Sequence, residues 1–182
     1  MKKYKEMFQP IGVFEIKSRL RVSDPCYDPN VWCSGTLFAK KGNWIAAAMK
    51  FDNRRTNGWG DRIAILAAKH ESCPIPIDAT TINNTAANLK AGDWYETGFE
   101  VGVDSGQAGF YDNDAFIARD GGRNRDWYNE VCDMTILNNM GVLEDCVVVS
   151  SGYGDGGYPC YYHADKKGQA DYVYVIFIDP DD

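Results

Sequence analysis

Long apolar runs are missing from this sequence. No segment approaches the roughly 18 apolar residues of a membrane-spanning helix, and the cationic start is not followed by the apolar segment of a secretory signal. Histidine is scarce, with two residues, and no pair of the six cysteines has C-x-x-C spacing, so zinc-ribbon and thioredoxin motifs are not supported. We therefore expect a cytoplasmic protein with free thiols and no membrane partner.

Basic residues are also in the minority. The chain has 19 Lys and Arg against 26 Asp and Glu, which gives a net charge of −7. The basic residues form no stripe, and an acidic surface repels phosphate backbones. The sequence therefore predicts no nucleic-acid partner, and it leaves open a protein or small-molecule partner and the oligomeric state.

Aromatic residues and glycines are abundant, and most apolar residues alternate with period 2, which favours strands and turns. Residues 36–39 and 44–49 are typical of a hairpin, and residues 146–149 of a strand buried on both faces. Residues 126–138 alone have clear helical spacing. They place Trp127, Val131, Met134 and Leu137 on one face, with Asp126 as the N-cap.

We therefore expect a mostly β fold of the β-rich α+β class, an antiparallel sandwich or curved sheet with one packed helix. The chain is predicted to form a single domain over residues 1–182. Its N-terminus, about residues 1–8, is expected to be flexible, and so is the acidic tail over residues 179–182. Trp59 lies between two glycines in a polar loop and is expected to be exposed.

Three segments carry acidic residues beside small ones, each where a predicted strand ends: residues 22–29, 103–112 and 150–159. The candidate ligand-binding residues in them are Asp24, Cys26, Asp104, Ser105, Gln107, Asp112, Ser151, Asp155 and Tyr158. Strands of one sheet can place their end loops side by side. We therefore expect residues 104–112 and 151–159 to be adjacent and to form any functional surface.

Several chemistries fit these segments. Asp104, Asp112 and Asp155 could converge on Ca²⁺ or Mg²⁺, hard cations that take carboxylate oxygens, although no cofactor is predicted outright. Two carboxylates could instead act as acid and base, or each could simply fix its own turn. Cys26 with His163 and Asp155 could form a nucleophilic set. The alternative is a buried thiol and an unrelated histidine.

A glycine pattern in the third segment gives no dinucleotide site. Residues 152–157 match G-x-G-x-x-G, but a predicted strand follows them where a dinucleotide fingerprint requires a helix. A tight glycine turn is the favoured interpretation.

At these segments the chain resembles a family catalogued as domain of unknown function 4241, found in bacteria and phages. The similar runs are the Asp-Pro-Cys-Tyr at 24–27, the Asp-Ser-Gly-Gln-Ala-Gly-Phe at 104–110 and the Ser-Gly-Tyr-Gly-Asp-Gly-Gly-Tyr-Pro at 151–159, together with the helix around Trp127. The resemblance covers most of the chain after residue 15. It implies kinship and, by analogy with phage members, a host-interaction role, but it supplies no catalytic residues.

These observations favour a binding or interaction module. The alternative is a small-ligand or metal-assisted hydrolase that uses the Asp-rich loops. The two can be weighed by asking whether Asp24, Asp104 and Asp155 share one concave pocket.

Overall fold

Strands dominate the fold. The computed structural model describes residues 2–182, and the strand pairs of its three sheets are antiparallel. In chain order the strands are β1 (Phe8–Ile16), β2 (Leu20–Ser23), β3 (Gly35–Leu37), β4 (Gly42–Phe51), β5 (Arg62–His70), β6 (Trp94–Glu96), β7 (Val101–Val103), β8 (Gln107–Asp112), β9 (Met140–Leu143), β10 (Cys146–Ser150), β11 (Gly156–Tyr158), β12 (Cys160–Ala164) and β13 (Ala170–Ile176). The predicted mostly β, antiparallel fold class is confirmed.

Four helices interrupt the strands in this part of the chain. They are α1 (Ala79–Asn83), α2 (Thr85–Ala91), α3 (Asn113–Ala118) and α4 (Arg125–Asn138), and a 3₁₀ turn lies at Gly121–Arg123. The sequence predicts only α4, because helices of five to seven residues make too few turns for a 3.6-residue period to be visible. No helix in residues 2–182 is both long enough and apolar enough to span a membrane.

Two large sheets pack against each other. The first has the order β1-β4-β5-β13-β12-β6 and the second has the order β3-β2-β8-β10-β9, while β11 and β7 form a small third sheet. Phe14, Trp44 and Val175 of the first sheet share one buried cluster with Val22 and Val149 of the second. This shared core is that of a sandwich, in which the inner faces of two sheets interdigitate.

A second, smaller core lies on the other face of the five-stranded sheet. Cys146 and Val148 of β10 point into it and meet Trp127 and Val131 of α4, whereas Val147 and Val149 point into the main core. The prediction that residues 146–149 are buried on both faces is confirmed. Burial of a strand on both faces explains its uninterrupted apolar run.

The predicted hairpin over residues 36–39 and 44–49 is wrong. β3 pairs with β2 in the five-stranded sheet, whereas β4 lies between β1 and β5 in the six-stranded sheet. The chain therefore crosses from one sheet to the other between them. Gly42, which has a φ of +121°, begins β4 after this crossing and does not close a turn between paired strands.

Helix α4 is confirmed as an element, but two details of its prediction are wrong. Its N-cap is Asn124, whose side chain accepts a hydrogen bond from the backbone N–H of Trp127, and Asp126 lies in the first turn. Leu137 is 76% exposed, because the buried stripe runs through Trp127, Val131 and Thr135 at four-residue steps.

Both ends of the described chain contact the body of the protein. Tyr4 is buried, and its hydroxyl donates a hydrogen bond of 2.9 Å to the Ile178 carbonyl. The Arg55 guanidinium donates to the carbonyls of Pro180 and Asp182 at 2.6 and 2.7 Å. These contacts hold parts of the two segments for which flexibility is predicted, and their mobility itself stays a prediction.

Candidate functional site

Three turns meet at one edge of the five-stranded sheet. Residues 24–27 follow β2, residues 104–106 precede β8, and residues 151–155 follow β10. β2 and β10 both pair with β8 in antiparallel fashion, so the ends of β2 and β10 lie beside the start of β8. The predicted adjacency of the second and third segments is therefore confirmed at their turns.

The Asp24 carboxylate joins the first two turns and is fully buried. Its Oδ2 accepts hydrogen bonds from the backbone N–H groups of Asp104 and Ser105 at 2.8 and 2.7 Å. Its Oδ1 accepts from the Cys26 N–H at 2.7 Å and from the Ser105 hydroxyl at 2.6 Å. Four donors thus satisfy a buried charge, and Asp24 acts as a structural tie beneath the surface.

The third turn attaches to the second through Gly106. The Ser151 N–H donates to the Gly106 carbonyl at 2.9 Å, and the Gly106 N–H donates to the Asp155 carboxylate at 3.1 Å. Gly106 has a φ of +68°, a left-handed conformation that favours glycine. The hydroxyls of Ser151 and Tyr158 both donate to the Gly154 carbonyl, at 2.9 and 2.6 Å, and so secure the turn internally.

Gln107 and Asp112 lie on β8, because most of the segment predicted as a loop is a buried strand. The Gln107 amide oxygen accepts a hydrogen bond of 2.8 Å from the Thr135 hydroxyl and ties β8 to α4. Asp112 lies at the far end, about 16 Å from Gln107 at the usual rise of a strand. The predicted metal set of Asp104, Asp112 and Asp155 is therefore not brought together.

Asp112 instead stabilises local structure at its own end of β8. One carboxylate oxygen caps α3 by accepting the Ala115 N–H, and the other accepts the N–H groups of Lys17 and Ser18, both at 2.7 Å. Burial raises the pKa of Asp112, but the hydrogen bonds from these N–H groups lower it by a larger amount. The pKa of Asp112 therefore lies below its usual value.

The structure does not assemble the nucleophilic set of Cys26, His163 and Asp155. His163 lies on β12 of the other large sheet, where its Nδ1 is 2.6 Å from Asp171 Oδ1. Burial, together with the neighbouring Asp24, raises the pKa of the Cys26 thiol to about 12. A reactive cysteine needs the opposite shift, because the thiolate is the nucleophile.

A groove opens where the turns reach the surface, with a volume of about 810 Å³. Its lining includes Trp32, Glu100, Asp104 and Asp155. A second depression of about 510 Å³ adjoins it through Glu100 and Gly157 and adds Glu96. We call the two together the acidic groove, since neither lining contains a lysine, arginine or histidine.

The groove contains a glycine that close packing requires. A side chain at Gly102 would place its Cβ 2.5 Å from the Cys33 sulfur and 2.7 Å from the Cys33 Cβ, whereas one at Gly157 would meet only the exposed Glu100 side chain, which can move away. Cys33 in turn accepts the Gly102 N–H through its carbonyl at 2.8 Å, which joins the loop that carries Trp32 to β7. The groove therefore requires close backbone approach at Gly102.

Sequence reasoning missed Trp32, Glu96 and Glu100. Trp32 is 85% exposed, more than Trp59 at 69%, whose predicted exposure is confirmed. The signal for Trp32 was its place two residues after the polar turn of residues 28–30. Glu96 and Glu100 had no such signal. Glu100 reaches the groove because the adjoining β7 pairs with β11, and Glu96 because β6 pairs with β12.

The four groove carboxylates are exposed and dispersed. Within residues 2–182, none of Glu96, Glu100, Asp104 and Asp155 forms an ion pair. Over the same residues, no three of their ligand atoms lie within 4.8 Å of one another. The arrangement offers several separate negative charges beside one exposed indole ring and does not form a compact chelating site.

Comparison with known proteins identifies a family but no activity. A family model described as a protein of unknown function, DUF4241, matches residues 19–175. Because this match covers most of the sequence, the chain belongs to that family. No curated protein and no solved structure matches the chain.

Proposed function

We propose that this member of the DUF4241 family is an interaction module whose acidic groove binds a cationic, lysine- or arginine-bearing segment of a partner protein. The observation that carries the proposal is the presence of four exposed carboxylates in one groove without a lining cation. A groove lined by charges of one sign focuses the field and attracts the opposite charge.

An extended cationic segment fits the groove better than a single metal ion. The carboxylates are too dispersed to coordinate one cation, whereas side chains spaced along a peptide can each approach a different carboxylate. Trp32 adds a ring face for a lysine or arginine, a contact worth about 0.5–1 kcal/mol at an exposed site. A host protein or another partner that presents such a segment belongs to this ligand class.

The alternative, a small-ligand or metal-assisted hydrolase, has less support. The Cys26 thiol has a raised pKa, the Ser105 hydroxyl donates to the buried Asp24 carboxylate, and Asp112 lies away from Asp104 and Asp155. None of the three observations favours a nucleophile or a metal-bound water at the turns.

We also propose a cytoplasmic location and no nucleic-acid partner. All six cysteines, which lie within residues 2–182, are free thiols, the state that a reducing compartment maintains. The acidic groove would repel a phosphate backbone.

The proposal is tested by calorimetric titration of the full chain with a short peptide of alternating lysine and serine at low salt. A peptide with glutamate in place of lysine is the ligand control. We expect only the lysine peptide to bind, and the binding to weaken as salt is added.

Matched variants then locate the site. The triple variant Glu100→Gln, Asp104→Asn, Asp155→Asn removes three groove charges, and its asparagine at 155 can still accept the Gly106 N–H. At about 0.5–1 kcal/mol per exposed pair, we expect binding to weaken roughly 10- to 100-fold.

The control variant Asp126→Asn, Glu130→Gln, Asp133→Asn makes the same charge change at exposed positions on α4. It should weaken binding clearly less than the groove variant does, since none of these three carboxylates lines the groove. Equal losses in the two triple variants, or no binding of the lysine peptide at low salt, would refute the proposal.

A further inference from the structure

Three side chains of metal-binding type meet in the six-stranded sheet, away from the acidic groove. They are Cys73, in the turn after β5, His163 on β12 and Asp171 on β13. The Cys73 sulfur, a His163 ring nitrogen and an Asp171 carboxylate oxygen all lie within 4.8 Å of one another. Within residues 2–182, these three are the cysteine, histidine and acidic side chains whose ligand atoms lie close enough together to hold one metal ion.

A β-bulge places Asp171 in this position. His163 pairs with Tyr172 and Ala164 pairs with Ala170, so Asp171 is the extra residue that has no partner on β12. A bulge of this kind redirects a side chain and often occurs beside a functional site. Asp171 is only 4% exposed. The irregularity therefore turns a carboxylate into the protein, where burial is costly without compensation.

Hydrogen bonds fix the turn after β5 that carries Cys73. The Cys73 N–H donates to the His70 carbonyl at 2.9 Å, and the Lys69 ammonium donates to the carbonyls of Cys73 and Ile75 at 3.1 and 2.8 Å. These bonds fix the backbone that carries the Cys73 sulfur, which lies within 4.8 Å of both other ligand atoms.

We propose that Cys73, His163 and Asp171 form a binding site for a zinc-type divalent cation. Ligand atoms of a tetrahedral zinc lie about 3.3–3.8 Å apart, given bond lengths of about 2.0–2.3 Å. Small side-chain rotations would bring the three atoms from their present spacing to that geometry. A water or a partner's side chain would complete the tetrahedron from the side of His163, whose side chain is 17% exposed.

Charge and ligand type both select the ion. One thiolate, one carboxylate and one neutral imidazole balance a divalent cation, so the buried site carries no net charge. A mixed sulfur, nitrogen and oxygen set suits zinc, whereas calcium and magnesium prefer oxygen ligands. The competing interpretation is a simple His163–Asp171 ion pair beside an inert buried thiol.

The test uses the full chain without an affinity tag, stripped of metal by a chelator and dialysed against Zn²⁺ in the presence of excess Mg²⁺. We expect about one zinc per chain by elemental analysis. With Co²⁺ as the probe, we expect an absorption band from thiolate-to-cobalt charge transfer. A wild-type chain that retains no zinc, or a cobalt complex without that band, would overturn the proposal even if every variant proved unstable.

Variants assign the ligands. Each of three single variants removes one proposed ligand: Cys73→Ser, His163→Gln and Asp171→Asn. Loss of a residue that only supports a metal ligand weakens binding by up to about 100-fold, so loss of a ligand itself should weaken zinc binding by more than that. The control variant is Cys146→Ala, which removes a buried thiol on β10, in the other large sheet. It should bind zinc as the wild type does. Retention of wild-type affinity by two of the three folded ligand variants would equally overturn the site.

Discussion

Asp24 is the residue whose replacement tests the architecture of the three turns most directly. Its buried carboxylate accepts four hydrogen bonds, two on each oxygen. In Asp24→Asn the amide oxygen can still accept two of them, but the NH₂ group faces the remaining two donors. Two buried donors therefore lose their acceptor while the size of the side chain is unchanged.

The expected loss follows from those two donors. Each buried donor without a partner costs about 1–3 kcal/mol, so we expect Asp24→Asn to lower the free energy of unfolding by about 2–6 kcal/mol. This is a large part of the stability of a typical domain, about 5–15 kcal/mol. The turns should loosen together, because Asp24 holds the first two and Gly106 connects them to the third.

Urea unfolding followed by far-UV circular dichroism measures this loss. Asp28→Asn is the matched control, four residues away in the same segment. Asp28 accepts the Asn30 N–H and pairs with Arg123, which is 64% exposed, so its replacement should cost no more than about 1 kcal/mol. A similarly small loss for Asp24→Asn would refute the structural role that we assign to its carboxylate.

Two further predictions concern buried polar groups. The N–H groups of Lys17, Ser18 and Ala115 outweigh burial and hold the pKa of Asp112 below its usual value. Its ionised form therefore stabilises the fold above the unfolded pKa of about 3.9, and this stabilisation is lost as the pH falls through the folded pKa. The stability difference between the wild type and Asp112→Asn, measured by urea unfolding, should be largest at neutral pH and shrink in acid; a constant difference would contradict this. The buried Tyr111 hydroxyl has no hydrogen-bond partner within residues 2–182, so Tyr111→Phe should raise the free energy of unfolding by up to about 1 kcal/mol. A fall in thermal and urea stability would show that the hydroxyl makes a bond after all.

Local patterns in the sequence determined the class of the fold. The alternation of apolar residues predicted strands, and the continuous run at residues 146–149 predicted burial on two faces, because each side chain of a strand points to the face opposite its neighbours. Helix α4 was predictable for the same reason, since fourteen residues display several turns of a 3.6-residue period. The segments that contain Asp24, Asp104 and Asp155 were also recognisable, because acids and glycines after a strand are typical of turns.

Tertiary structure decided which of these residues meet. Asp104 and Asp112 are close in sequence, yet they lie at opposite ends of β8, whereas Asp24 and Ser105 are 81 residues apart and hydrogen-bonded. The partner of a strand depends on the packing of both sheets. The local pattern of residues 36–49 therefore could not show that β3 and β4 belong to different sheets.

The two sites proposed here depend on the same distinction. Glu100 reaches the acidic groove through the pairing of β7 with β11, and Asp171 reaches Cys73 through a bulge in β13. A bulge shifts register by one residue and reverses the face to which a side chain points. Neither event has a signature in composition or period, because each arises from hydrogen bonds between strands that are distant in the chain.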